Sequence, residues 1–588
     1  MQTIVDILER RLGPLLAELA GDPGALPLVR PAQDPRFGDY QANGVMALAK
    51  RLQLNPRQLA QRLVAQLDVA DLCEPPEIAG PGFINFRLKP DWLAERLLEV
   101  ARDEKRLGID PWPDPPLTVV DFSGPNIAKQ MHVGHLRSTI IGDVIARVLE
   151  FWYADETTPD GSPAKKVIRQ NHVGDWGTQF GMLTSFLDCA GVDAAPLADV
   201  EEFYRRAQQR FDADPAFADL ARQYVVRLQR GDPHVLENWR TIRGVSLNHC
   251  QEIYDRLGVR LARRHVRGES EYNQALPQVV GDLHAAGLLH ESQGARCVFL
   301  DGFKTKEGEP LPLIVRKSDG AYLYATTDLA ALCYRVRELH ARRIIYVTDA
   351  RQKLHFEMVF ACARAAGWAD GVQLEHVPFG SVLGTNGQPL KTRAGQNVQL
   401  KDLLDEAETR ARAILEEKNP DLSEDRKGRI ARAVGVAAVK YADLSSNLAG
   451  DYLFDWDRML AMDGNTAPYL QYAYARVCSI FRKGRIDETA LVAAAPPVRL
   501  AAPEELALAK LLLRYGETVE AVARDLRPHL LTTYLFELAQ AFSAFYTRCP
   551  VLKADDAARS GRLLLCLLTA RTLRHGLGLL GIDAIEQM

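Results

Sequence analysis

The hydrophobic period of this chain switches between residues 117 and 148, and that switch limits what its centre can fold into. Leu117-Thr118-Val119-Val120-Asp121-Phe122 is apolar and β-branched and stops at Ser123-Gly124-Pro125, the pattern of a buried strand running into a turn. From His132 onward Leu136, Ile140, Val144 and Val148 recur every four residues with Ile141 and Ile145 beside them, which gives one apolar helical face. The chain therefore predicts an α/β unit, with His132 and His135 in the first turn of its helix.

Free backbone N–H groups and the positive end of the helix dipole favour an anion at such a turn. Imidazole donors there would meet phosphate oxygens, Lys129 adds a mobile charge from the preceding loop, and Gly134 lets a base or ribose lie against the backbone. Spacing alone leaves two other readings open: a pair of surface histidines, or two ligands of a metal ion.

The wider context narrows the choice. His132-Val133-Gly134-His135 after a first strand resembles the His-Ile-Gly-His signature of class I aminoacyl-tRNA synthetases, and residues 121–142 as a whole resemble arginyl-tRNA synthetases. Asn171-His172-Val173-Gly174-Asp175-Trp176-Gly177-Thr178-Gln179-Phe180-Gly181 is similar to a second block of that family, and the Leu-Gly-Ile ending before Met588 is similar to its C-terminus.

The resemblance spans essentially the whole chain. It implies a ligase that activates L-arginine with ATP, releases pyrophosphate and transfers arginine to the terminal adenosine of tRNA(Arg). His132, Gly134 and His135 would bind ATP. The Lys-Met-Ser-Lys-Ser signature of the class is reduced here to Lys391-Thr392-Arg393-Ala394-Gly395. Lys391 keeps the first position, Ala394 stands where the second lysine would be, and Lys129 is the implied substitute.

A site for arginine needs carboxylates that accept paired N–H bonds, plus polar groups for the α-amino and carboxylate ends. Asp121, Glu269, Tyr324 and Asp328 are the candidates; the resemblance implies that Tyr324 and Asp328 hold the guanidinium, with Glu269 as a second acceptor and Asp121 as an acidic contact. Tyr324 and Asp328 are four apart, on one side of a helix that begins near residue 324. By the resemblance Ser123, Asn126, His132 and Gln352 complete the arginine contacts. Magnesium is expected with ATP, without an identifiable protein ligand.

For tRNA, Phe83 could stack a base and Asn85 could bond its edge. Tyr469, Tyr472, Tyr474, Arg476, Arg482, Lys483 and Arg485 interleave aromatics with cations as single-stranded RNA surfaces do, and Tyr472 and Arg476 are the chosen contacts.

Two rivals remain: another class I synthetase or small nucleotidyltransferase with a different acid substrate, and a non-catalytic tRNA-binding relative. Acids in the pocket would repel glutamate, and the intact histidine pair speaks against a dead relative.

At 588 residues with 47% apolar content, several cores are expected. The net charge of −4 leaves any RNA-binding surface to local charge. Nine cysteines carry no Cys-x-x-Cys pair, so neither a structural zinc nor a disulfide framework is expected. No apolar run reaches membrane-spanning length, and the N-terminus lacks a signal-peptide core. A monomeric, cytoplasmic protein is expected.

The expected architecture is multidomain, α/β and all-α. Residues 1–112 form an α+β N-terminal domain for the tRNA elbow, ended by the stiff linker Pro111-Trp112-Pro113-Asp114-Pro115-Pro116. Residues 113–400 form a Rossmann-like parallel-sheet catalytic core with a helical insertion at about 186–262. Strand signals lie at 297–300, 313–315, 321–324 and 344–347. A helical stem-contact segment spans 401–460, and 461–588 is an all-helical anticodon-binding bundle.

Overall fold

The computed structural model describes residues 2–588 except 128, 155, 158–162, 165, 190–199, 392–397 and 496. At its centre lies a parallel sheet of β1 (Thr118–Asp121), β2 (Val167–Gln170), β3 (Arg343–Asp349) and β4 (Gln373–Phe379), in the order β4-β3-β1-β2. Val119 pairs in register with Ile168 on one side and Ile344 on the other. The order reverses between β1 and β3, so their carboxyl ends open the crevice where doubly wound sheets bind ligands.

Helix α1 (Val133–Tyr153) follows β1 and buries Leu136, Ile140, Val144 and Val148, the predicted face. It packs tightly on the strand end, because a Cβ on Gly142 would fall 2.2 Å from Phe122 Cβ; only glycine permits that approach.

Residues 297–300 and 313–315 are strands as expected, in a separate antiparallel sheet (Leu289–Ser292, Ala295–Lys304, Pro310–Arg316), and one strand expectation is corrected. Residues 321–324 form no strand and lead into helix α2 (Tyr324–Arg337). Apolar runs this short do not reveal which sheet they join.

The insertion is helical, with Pro215–Gln229 burying Phe217, Ala221, Tyr224 and Leu228. After β4 come helices α3 (Leu400–Lys418) and α4 (Glu424–Leu444). One strand signal survives beyond 400: Tyr452-Leu453 pairs with Val382-Leu383.

In the C-terminal bundle Leu531, Leu535, Leu538, Phe542 and Phe545 are fully buried, as are Leu564, Leu565, Cys566, Leu567 and Leu568 on the helix Asp556–Leu579. The N-terminal domain carries a four-stranded antiparallel sheet beside the helix Ile4–Ala20. It meets the bundle where Tyr40 hydroxyl donates to Glu517 at 2.8 Å and Lys510 pairs with Asp39 at 2.7 Å.

The buried Lys440 ammonium ties three segments together. It donates to the carbonyls of Leu257 at 2.7 Å and Gly581 at 2.6 Å, close to Asp143 of α1. Among the described residues no helix is long and apolar enough to cross a membrane.

Candidate active site

The turn after β1 is held by a network of buried polar side chains. Ser123 adopts φ +72°, a left-handed conformation that costs a non-glycine residue about 1 kcal/mol or more. Its N–H donates to Ser138 Oγ at 2.9 Å, and its hydroxyl lies 2.9 Å from Thr139 Oγ1 and 2.8 Å from Tyr254 hydroxyl. The Ser123 side chain is thus buried and engaged in securing the turn.

His132 is the N-cap of α1. Its Nδ1 accepts the Gly134 N–H at 3.1 Å, its own N–H donates to His135 Nδ1 at 3.1 Å, and the ring centroids are 4.0 Å apart. Each Nδ1 is an acceptor, so each neutral ring carries its proton on Nε2 and offers one N–H outward. Burial and the nearby Lys129 lower the His132 pKa; burial and His132 push His135 down to about 3. Near pH 7 the pair therefore acts as two neutral donors.

Gly134 is exposed, yet a Cβ there would sit 2.8 Å from His132 Cε1. The folded-back cap of His132 is thus a reason for this glycine that sequence reasoning did not anticipate.

Lys391 is exposed, and Thr392, Arg393, Ala394 and Gly395 lie outside the described residues. Where the description resumes, Val133 N–H donates to the Val398 carbonyl at 2.9 Å and Leu400 N–H to Met131 at 2.9 Å. His132 bridges to Gln399. The exit of the lysine loop is therefore stitched to the histidine turn. Lys129 is exposed, its ammonium 4.7 Å from the centroid of the Tyr204 ring on the helical insertion.

The acid candidates gather at the same end of the sheet. Asp121 closes β1; its Oδ2 accepts from Arg335 at 2.7 Å, and its Oδ1 takes a long contact of 3.4 Å from His172 N–H. Asp328, one turn into α2, lies 2.6 Å from His355 Nε2. Glu269 opens a short 3-10 turn docked on Val173. Its pKa is raised to about 7, first by burial and then by Asp175 and Asp328. Asp175 is itself neutralised by Arg243 at 2.8 Å and held by Ser270 N–H at 2.9 Å.

Tyr324 is 72% exposed as the first residue of α2, the helix start expected from its spacing to Asp328. Asn126 sits beside Gly174, and Gln352 ends a short 3-10 turn beyond β3, before His355. Sequence reasoning missed Arg335 and His355, the side chains that hold two of the acids. Arg335 follows Asp328 by seven residues on the same helical face, a signal that the sequence did contain.

For RNA, the structure divides the candidates. Tyr472 is exposed, with the Arg476 guanidinium 4.8 Å from its centroid and 5.8 Å from that of Tyr546. Phe83 is half-buried against the Gly80 turn. Asn85 is 4% exposed, and its amide oxygen accepts from Gln41 at 2.8 Å inside the sheet. Tyr474 is likewise buried.

Two other histidines share the character of His135. Burial holds His376 and His575 near 4, helped by Lys353 and by Arg106, respectively. Because their folded pKa lies below the unfolded value of about 6.5, these three groups leave stability intact above pH 6.5 and withdraw it as pH falls toward 4. Glu269 and Glu517, both raised to about 7, work in the opposite sense and withdraw stability as pH rises through 7. Calorimetry should place the highest melting temperature near pH 6 to 7, and His575→Gln should flatten its acid side. An unchanged acid side would refute the assignment.

A parallel sheet with a histidine-capped turn at its switch point, joined to the exit of a lysine loop, is the arrangement of a class I aminoacyl-tRNA synthetase. Family models match the chain at residues 112–456 (tRNA synthetases class I (R), catalytic domain), 470–588 (DALR anticodon binding domain) and 3–88 (arginyl tRNA synthetase N terminal domain). The chain is 52% identical to an arginine–tRNA ligase of Laribacter hongkongensis over all of both chains, and 51% identical to one of Hahella chejuensis over 99% of each. Among solved structures it is similar to the arginyl-tRNA synthetases of Plasmodium falciparum (29% identity, TM-score 0.86) and Thermus thermophilus (28%, 0.81), covering 100% of each chain. The chain belongs to the arginyl-tRNA synthetase family.

Proposed function

We infer that the chain is an arginine–tRNA ligase that forms arginyl-adenylate from L-arginine and ATP and passes arginine to the 3′-terminal adenosine of tRNA(Arg). The observation that carries this is the histidine pair with both Nδ1 atoms satisfied, at the switch point of a chain related to arginine–tRNA ligases over its full length.

In the first step the arginine carboxylate attacks the α-phosphorus. A carboxylate oxygen–phosphorus bond forms, the bond to the β-phosphate oxygen breaks, and pyrophosphate leaves. Catalysis here is alignment and charge stabilisation. The Nε2–H groups of His132 and His135 donate to the triphosphate, and Lys129 and Lys391 supply positive charge. Asp121, Glu269, Tyr324 and Asp328 receive the guanidinium, while Asn126 and Gln352 meet the amino-acid end.

Among the described residues no three metal-ligating side chains converge. Magnesium is proposed to arrive with ATP, and no step is routed through protein ligands. For tRNA, the N-terminal domain engages the elbow through Phe83, residues 401–460 meet the stem, and Tyr472 and Arg476 face the anticodon loop. The enzyme is proposed to act as a cytoplasmic monomer.

Charging of total tRNA with each of the twenty amino acids tests the reading: arginine alone should be attached, and attachment of another amino acid would refute it. Tyr472→Ala with Arg476→Ala should weaken tRNA binding by on the order of tenfold to a hundredfold, from the loss of one stacking platform and one cation. Filter binding checks this, and unchanged affinity would move the anticodon contact elsewhere.

A further inference from the structure

The arginine pocket contains an arginine of its own. Arg335 is completely buried on α2, and its guanidinium donates to Asp121 Oδ2 at 2.7 Å and, through Nε, to the Gln170 amide oxygen. It also packs 4.9 Å from the centroid of the Tyr346 ring. Asp121 and Gln170, the last residues of β1 and β2, pair in register with each other, and Asp121 pairs with Tyr346 in the middle of β3, so one side chain from α2 reaches three neighbouring strands. Tyr324, Asp328 and Arg335, at i, i+4 and i+11, share one face of α2, running from the exposed rim to the buried floor.

Four carboxylates meet here. Asp175 is answered by Arg243, and Asp328 by His355. Glu269 lies close enough to Asp175 and Asp328 to feel both charges. Asp121 differs in being held by a buried guanidinium whose Nε is itself anchored on Gln170. A planar fork fixes the carboxylate plane, which the single point charge of an ammonium does not.

We propose that Arg335 is a positioning residue for arginine selection: its guanidinium, anchored by Gln170, fixes the plane of the Asp121 carboxylate, so that the lone pairs left free meet the substrate guanidinium. This rests on the reading of Asp121 as a substrate contact. Arg335 touches neither ATP nor the reacting carboxylate, so its effect falls on arginine recognition.

The test is a double-mutant cycle of Arg335→Lys and Asp121→Asn, read by arginine- and ATP-dependent pyrophosphate exchange in the presence of tRNA. Arg335→Lys should raise KM for arginine by on the order of tenfold to a hundredfold, the worth of a charge-assisted hydrogen bond, and leave kcat and KM for ATP within about threefold. In the Asp121→Asn background it should add almost nothing.

Full additivity of the two changes, or an unmoved KM for arginine in Arg335→Lys, overturns the proposal. An unmoved KM in Asp121→Asn alone overturns instead the reading beneath it. If Arg335→Lys does not fold, Arg335→Gln takes its place in the cycle. Unfolding of both, while Asp121→Asn stays folded, would assign Arg335 to core stability and likewise overturn the proposal.

Discussion

Replacing His132 with alanine should lower the rate of ATP–pyrophosphate exchange by on the order of a hundred- to a thousandfold, the usual cost of removing one preorganised donor from a charge-stabilising site. The loss has two physical parts, because His132 both caps α1 through Nδ1 and offers Nε2–H. Loss of an N-cap costs about 1 kcal/mol, which a folded core of this size tolerates. Asparagine separates the parts, since it restores a capping oxygen without restoring the outward donor. His132→Asn should therefore melt close to the parent and remain nearly as slow as the alanine variant. A fast asparagine variant would mean that the cap alone matters and that His132 does not meet the nucleotide.

The second large effect is expected at Asp328. Exchanging its carboxylate for an amide removes the charge-assisted acceptor proposed for the substrate guanidinium while leaving the side chain's size unchanged. Truncating one partner of such a buried pair costs about 2–5 kcal/mol. Asp328→Asn should raise KM for arginine by at least about thirtyfold and leave KM for ATP unchanged. His355, 2.6 Å away, gives an internal control: His355→Gln retains a donor and should have a much smaller effect. Equal loss of ATP and arginine affinity in Asp328→Asn would point to a distorted helix α2 rather than a lost contact.

Much of the catalytic centre was legible locally. The β1-to-α1 handover and the positions of His132 and His135 in the first turn follow from periodicity over a dozen residues or so. The buried faces of the insertion and of the C-terminal bundle were legible for the same reason. The short runs at 297–300 and 313–315 were recognisable as strands, yet nothing within four residues tells which sheet a strand joins. The residues 321–324 looked extended because Tyr favours strands; the chain there is limited to one bridge, from Tyr322 to Arg316, before α2 begins at Tyr324.

The RNA-facing candidates show the same limit. Tyr472 and Asn85 look equally available in a sequence. One lies exposed beneath an arginine, the other is sealed into a sheet by Gln41, and burial of that kind depends on chain more than forty residues away.

The order of residues alone determined the class of this protein and the chemical types of its site: two imidazoles, mobile lysines and a set of carboxylates. Only the tertiary structure decided which acids already have internal partners, that Ser123 bonds to Ser138, Thr139 and Tyr254 in securing the turn, and that the lysine loop leaves the site along the histidine turn. The physical reason is range. Helical and strand periodicity, caps and turns act between neighbours in the chain. The pairing of Asp121 with Arg335 closes a loop of more than two hundred residues, and its strength depends on a burial that only the finished packing supplies.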